Sequence, residues 1–306
     1  MQTKGHAVVL GCGLMGCDIA AIFLAGGWRV TAMEPARGNW PKALDRMASS
    51  VAQLDGAATL LGNVALVESL GDVGWDDVAV VVEAVPEQLA LKQAVFAELD
   101  KLVPAGVPIA SNASGFRITD IAGDCTTRSR MANLHFFLPA HLVPGVEVVQ
   151  GEHTEKAVCD QLAEIMSSLG RVPIRVARDV PGFLANRIQH ALMREAFNVI
   201  DEGLGTAEDV DNAVRFCFGF RYLSAGPIMQ KELAGLETQL AAARTIYPSL
   251  HNGTEPSPTL QKLVAENRLG PKTGRGFWDW TEEKATAERA RYERALLASM
   301  KVLKGE

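Results

Sequence analysis

Through the first half of the chain, short and mostly apolar runs alternate with segments of helical spacing. The runs are Ala7-Val-Val-Leu10, Trp28-Arg-Val-Thr-Ala-Met33, Val78-Ala-Val-Val-Val82 and Val107-Pro-Ile-Ala110. Runs of this kind, rich in Val and Ile and separated by helical patterns, predict strands of a parallel sheet covered on both faces. Leu134-His-Phe-Phe137, Val146-Glu-Val-Val149 and Val172-Pro-Ile-Arg-Val176 predict further strands. The helix between the last two is predicted to take Thr154 as its N-cap and to end near Gly170.

After Arg178-Asp-Val-Pro181 the pattern changes, and the segments at about 182–203, 206–217, 228–246, 257–267 and 283–302 all carry helical spacing. The predicted class is therefore α/β: a doubly wound sheet in residues 1–180, followed by an all-helical domain in residues 181–306. Pro181 marks the hinge, because proline cannot donate to a strand ladder and pushes Val180 toward an extended conformation. Leu184, Ile188, Leu192, Ala196 and Val199 recur at helical spacing and suit either an intrachain core or a subunit interface. The stretch Glu282–Leu297 mixes charges of both signs and reads as a solvated helical face.

A length of 306 residues fits two domains. With 48% hydrophobic and 22% charged residues and a mean hydropathy of +0.07, neither disorder nor a membrane protein is predicted. No apolar run reaches spanning length, and the chain enters its first strand without an apolar leader, so a cytoplasmic protein is expected. Thirty Lys+Arg against 36 Asp+Glu give a net charge of −6, which argues against nucleic acid as a partner. Cys12, Cys17, Cys125, Cys159 and Cys217 are odd in number and form no CxxC pair, so neither a disulfide framework nor a metal site is expected. An enzyme or binding protein for small molecules remains.

Directly after the first strand comes Gly11-Cys-Gly13-Leu14-Met15-Gly16, with a helical pattern following at once. In that context Gly11 permits a tight turn, Gly13 lets the backbone approach a pyrophosphate, and Gly16 lets helix and strand pack closely. The helix N-terminus then faces the phosphates, as in a Rossmann-type domain. Glu34 stands eighteen residues past Gly16, at the end of the second strand. A carboxylate there accepts the ribose hydroxyls and repels a 2′-phosphate, which predicts NAD over NADP, with Arg37 near enough to blur the distinction.

Further candidates lie in Ala110-Ser-Asn-Ala-Ser114-Gly, Leu134-His135-Phe-Phe-Leu-Pro139 and Pro144-Gly-Val-Glu147-Val-Val. So do Val82-Glu-Ala-Val-Pro-Glu87-Gln-Leu-Ala-Leu-Lys92, Asp179-Val-Pro-Gly-Phe-Leu-Ala-Asn186-Arg187, Ser257–Asn267 and Lys272-Thr-Gly-Arg-Gly-Phe277. Together and in this order they resemble the L-3-hydroxyacyl-CoA dehydrogenase family over almost the whole chain. The resemblance implies that His135 is the general base, a role suited to a side chain that can both take and return a proton. It implies that Glu147 orients His135, and that Ser114 and Asn186 hydrogen-bond the reacting oxygen or its neighbouring carbonyl. Glu87 and Lys92 match positions lining the nicotinamide side, Lys272 a position near the cofactor, and the helical domain is the one through which the family forms homodimers.

Two rivals fall on the residues. No GxSxG elbow surrounds Ser114, so a serine nucleophile is not expected. No lysine occupies the helix that carries it in the β-hydroxyacid dehydrogenases, where this chain reads Leu184-Ala-Asn186-Arg187. Three departures from the CoA-thioester pattern concern the substrate. Residues 39–77 hold only Lys42 and Arg46 against Asp45, Asp55, Glu68, Asp72, Asp76 and Asp77, where the CoA enzymes carry a lysine-rich excursion, although Ser49 and Ser50 could still donate hydrogen bonds. The segment Phe218-Gly-Phe-Arg221-Tyr-Leu-Ser-Ala-Gly226-Pro227 is similar to the branch containing L-gulonate 3-dehydrogenase (lambda-crystallin) and carnitine dehydrogenase, and Arg221 there could clamp a free carboxylate. Leu138 stands where the family usually has asparagine, and the serine motif ends in Gly115 instead of a second serine. The expectation is NAD-dependent oxidation of a small free 3-hydroxy acid, with a 3-hydroxyacyl-CoA as alternative substrate. A non-catalytic crystallin-like or nucleotide-sensing protein is the alternative from another class.

Overall fold

The first apolar run forms strand β1 (His6–Leu10), all five residues of which are buried. Residues 3–305 are described by a computed structural model. Alternate side chains of β1 serve two separate cores: Ala7 and Val9 join one apolar cluster, Val8 and Leu10 the other. This is the burial that a strand without polar alternation requires.

From β1 the chain runs through α1 (Leu14–Ala25), β2 (Arg29–Met33), α2 (Trp40–Gln53), β3 (Val64–Val67) and β4 (Val80–Glu83). It continues through α3 (Leu89–Leu102), β5 (Ile109–Ser111), α4 (Ile118–Ala122), β6 (Met131–Phe136), β7 (Gly145–Val149), α5 (Lys156–Ser168) and β8 (Val172–Val176). The eight strands form one sheet in the order β3-β2-β1-β4-β5-β6-β7-β8. Every neighbouring pair is parallel except β6 and β7, a direct antiparallel return. The strand order reverses between β1 and β4, so a ligand crevice opens at the carboxyl ends of these strands.

Each predicted strand is present, and β3 is an addition. It has four residues at the sheet edge with only partly buried side chains, so its apolar signal is short and diluted. Thr154 is not the N-cap of α5; that position belongs to Glu155. The Thr154 hydroxyl accepts from the Gly151 amide and donates to the Met131 carbonyl, which fastens the preceding turn instead.

The chain divides into two compact units between Ala185 and Asn186, a few residues past the Pro181 hinge. The second unit takes in α6 (Ala185–Asp201) from Asn186 onward, then α7 (Ala207–Asn212), α8 (Pro227–Ala234), α9 (Leu236–Ile246), α10 (Pro258–Ala265) and α11 (Glu282–Lys304). A π turn over Ala213–Phe218 and a 3-10 turn over Gly219–Leu223 follow α7. The segment expected to be one helix over 228–246 is broken at Gly235, whose φ of +93° no helix accommodates. Within this unit only Gly276 and Ala285 are buried among the described residues. Ile188 and Leu192 are exposed, so the α6 stripe is not an intrachain core.

Candidate active site

The glycine turn joins β1 to α1, and its three glycines meet three different constraints. Gly11 has φ +92°, and a Cβ there would lie 2.8 Å from the Ala84 carbonyl oxygen. A Cβ on Gly16 would fall 1.7 Å from the Gly11 carbonyl oxygen. Gly13 has an ordinary φ of −71°, and a Cβ on it would meet no atom within 4 Å. No steric contact within the protein therefore demands glycine at this position. Gly13 is the N-cap of α1 and no side chain caps the helix, so the first-turn amides, including those near Leu14 and Met15, remain for an anion. The turn fits a dinucleotide pyrophosphate.

Glu34 follows β2 and is half-buried. Its Oε1 accepts from the Ala36 amide at 3.2 Å and from Asn39 Nδ2 at 3.0 Å, leaving Oε2 for a ribose. Arg37 pairs with Glu68 and lies over the Trp40 ring. The acid at Glu34 favours NAD.

Strands β6 and β7 place His135 directly opposite Glu147 in antiparallel register. His135 Nδ1 stands 2.8 Å from Glu147 Oε2, with both residues buried. Glu147 Oε1 accepts from the Leu184 and Ala185 amides at 3.0 and 2.7 Å, so the same carboxylate holds the start of α6. Burial pushes the Glu147 carboxyl up, but His135 and the two amides outweigh it and hold it below its ordinary value. With Nδ1–H donating to Glu147, Nε2 is the basic nitrogen. Phe137 and Phe183 flank the imidazole, at ring centroid distances of 4.5 and 5.6 Å. Phe183 is buried at φ +46°, a left-handed conformation costly for a bulky residue, and such strain gathers at functional sites.

Ser114 is exposed on the loop after β5, at the same sheet edge. Glu87 Oε1 accepts from the Ser114 and Gly115 amides at 3.1 and 2.8 Å, and Glu87 Oε2 lies 3.2 Å from Lys92 Nζ. Lys92 is 1% exposed and donates to Glu83 Oε1 at 2.8 Å. It is not the ordinary solvent-facing helical lysine that spacing on α3 would give. Sequence reasoning misses Glu83, although a lone acid closing the run Val80-Val-Val-Glu83 is a readable signal. The same applies to Asp18, a buried acid inside the apolar helix α1.

Asp18 bears on the substrate. Arg46 Nε and Nη2 reach its two oxygens at 3.0 and 2.9 Å, Ser50 donates to it at 2.9 Å, and His141 Nδ1 stands 3.0 Å away. Ser50 is thus buried and committed, which corrects the expectation that it could serve a CoA handle. Of the two cations in residues 39–77, only Lys42 is uncommitted among the ion pairs of the described residues. Asn186 is the second residue of α6, Arg221 lies in the 3-10 turn Gly219–Leu223, and Lys272 in the turn Pro271–Thr273. All three belong to the second unit. Arg221 is exposed and makes no ion pair among the described residues. A cavity of about 580 Å³ lined by Asp100, Val103, Thr127 and Arg130 lies at the amino ends of β5 and β6, away from this edge.

Residues 6–180 match the 3-hydroxyacyl-CoA dehydrogenase NAD binding domain, and residues 182–280 match the C-terminal domain of that family. The chain is 31% identical to 5-formyl-3-hydroxy-2-methylpyridine 4-carboxylate 5-dehydrogenase of Mesorhizobium japonicum, over 98% of each chain. It is 36% identical to L-carnitine dehydrogenase of Streptomyces griseus, over 76% of this chain and 70% of that one. A crystal structure of a 5-formyl-3-hydroxy-2-methylpyridine 4-carboxylic acid 5-dehydrogenase, described as an NAD+-dependent dismutase, superposes with a TM-score of 0.92 at 28% identity over all of both chains. A phosphate turn built for NAD, a helical second unit and these matches across both domains lead to one conclusion: the chain belongs to the 3-hydroxyacyl-CoA dehydrogenase family and is an NAD-dependent oxidoreductase acting on CH–OH groups.

Proposed function

We propose that this protein oxidises the 3-hydroxyl of a small free 3-hydroxy acid to the 3-oxo acid, with His135 as general base. The observation that carries the reading is the buried His135–Glu147 pair. It fixes Nδ1 as a donor and so leaves Nε2 to take the hydroxyl proton, while the carboxylate stabilises the imidazolium that forms. Ser114 and Asn186 donate to the oxygen on which charge develops. NAD, when bound, accepts the hydride from the same carbon. Glu34 would hold the ribose hydroxyls and the Gly13 turn the pyrophosphate, with Glu87 and Lys92 on the nicotinamide side and Lys272 near the cofactor. In the reverse direction His135 returns the proton as an acid.

Three features favour a free acid over a thioester. The stretch 39–77 is acidic, and its Arg46 and Ser50 are tied to Asp18. Arg221 is an exposed guanidinium without an ion partner among the described residues, suited to two parallel bonds to a carboxylate. The names of the Mesorhizobium and Streptomyces relatives specify free carboxylate compounds. Residues 181–306 then form the substrate and dimerisation domain, and five free thiols suit a cytoplasmic protein. A homodimer through the helical unit is supported by its near absence of buried residues.

Steady-state reduction of NAD+ with paired 3-hydroxy acids and their CoA esters tests the reading. The free acid is expected to give the higher kcat/KM, and Arg221→Ala should lower that value at least roughly tenfold, the scale of a lost charge-assisted pair, while sparing the ester. A higher kcat/KM on the ester overturns the free-acid reading. No turnover on either, with NAD+ bound, overturns the enzyme reading.

A further inference from the structure

At the carboxyl ends of β4 and β5, three charged side chains are linked in one chain of contacts. Glu83 is fully buried at the end of β4, and its Oε1 accepts from the Val85 amide at 2.7 Å and from Lys92 Nζ at 2.8 Å. Its Oε2 accepts from Ser111 Oγ at 2.6 Å, and that hydroxyl accepts in turn from the Ala113 amide at 3.1 Å. Lys92 continues to Glu87, and Glu87 to the Ser114 and Gly115 amides. Two carboxylates around one ammonium give a formal charge of −1. Buried ion pairs return little net stability, because desolvation consumes most of the attraction. Replacing this cluster by apolar side chains would serve packing as well, so its charge invites a functional account.

Its position supplies one. Ala84, the residue after Glu83, donates its amide to the Leu10 carbonyl beside the phosphate turn, and its own carbonyl lies 2.8 Å from where a Gly11 Cβ would stand. Ser114, at the other end of the cluster, neighbours the edge where β6 ends in His135 and Phe136. The sheet order β1-β4-β5-β6 therefore sets the cluster between the pyrophosphate turn and the proposed base. A dinucleotide with its pyrophosphate on the Gly13 turn and its nicotinamide toward His135 would cross this stretch.

We propose that Glu83, through Lys92 and Glu87, is a positioning residue that presents a net negative charge along the nicotinamide end of the crevice and so favours the oxidised, positively charged cofactor over the neutral reduced one. This rests on the reading of His135 as the reacting centre. A fixed charge in a crevice of low effective dielectric discriminates between a cationic and a neutral ring, whereas simple support of the loop does not.

The test is titration of the full-length protein with NAD+ and NADH separately. Glu83→Gln, which takes the cluster from −1 to 0, is expected to raise the ratio Kd(NAD+)/Kd(NADH) roughly tenfold. Glu87→Gln makes the same charge change at a side chain 41% exposed, and should move the ratio in the same direction even where Glu83→Gln fails to fold. Ser111→Ala removes a bond to Glu83 without altering charge and should leave the ratio unchanged. Equal weakening of both cofactor forms by the two Gln variants, or a ratio shift in Ser111→Ala as large as in Glu83→Gln, overturns the inference. Failure of the unaltered protein to bind either form overturns the cofactor reading beneath it, a separate and recognisable outcome.

Discussion

Glu147 divides its two oxygens between chemistry and chain direction, one on His135 and one on the amides that open α6. Burial alone would raise its carboxyl, and the hydrogen bonds from His135, Ala185 and Leu184 reverse that. Because the folded-state value lies below the ordinary 4.5, the group adds stability that is fully present above that value and lost as pH falls through the folded one. Glu147→Gln should therefore flatten the acid limb of a Tm-against-pH curve. It should also lower kcat by about 10²–10⁴-fold, since a Gln amide no longer holds the productive tautomer. Unchanged kcat would remove Glu147 from the machinery. The contact with His135 was implied by the resemblance to a family, and the antiparallel register brings the two side chains together. The bonds to Leu184 and Ala185 could not, because they join positions about forty residues apart that meet only once β7 and β8 are laid side by side.

At the scale of elements, the turn between β1 and α1 separates what folding needs from what a ligand needs. Gly13→Ala places a methyl in open space at a φ that alanine accepts, so stability should fall only by the loss of a glycine N-cap, about 0.5–1 kcal/mol. The same methyl occupies the approach of a pyrophosphate, and NAD+ affinity should fall at least roughly tenfold, or about 1.4 kcal/mol. Gly16→Ala instead drives a Cβ into the Gly11 carbonyl and should cost about 1–3 kcal/mol of stability as well as affinity. Thermal unfolding with cofactor titration of both variants checks the contrast. A Gly13→Ala protein that binds NAD+ normally would contradict the assigned path of the phosphates. The glycine spacing was legible in the sequence; which glycine answers to packing and which to ligand was not, because that depends on where Ala84 and the Gly11 carbonyl come to lie.

At the scale of the molecule, the two units differ in how they are held together. The first buries two continuous apolar clusters on the faces of its sheet, whereas the second leaves Phe216, Ile228 and Leu233 at 64%, 77% and 77% exposure. A helical unit of this size cannot offset chain entropy without burying such side chains, so a second copy is expected to cover them. Sedimentation of the purified protein should show a dimer, and Ile228→Glu should shift it toward monomer and lower its Tm; a stable monomer would refute this. The alternation of strand and helix, the change of character near Pro181 and the phosphate turn were legible in local periodicity and in residue types of short spacing, whereas the roles of His135 and Glu147 were implied only by the resemblance to a family. No local pattern foretold that Ser50 and Arg46 are tied to Asp18, that Lys92 is buried between Glu83 and Glu87, or that the α6 stripe is left uncovered. Each depends on which distant segments become neighbours across a parallel sheet, and a parallel sheet joins strands through crossovers whose contacts no local pattern records.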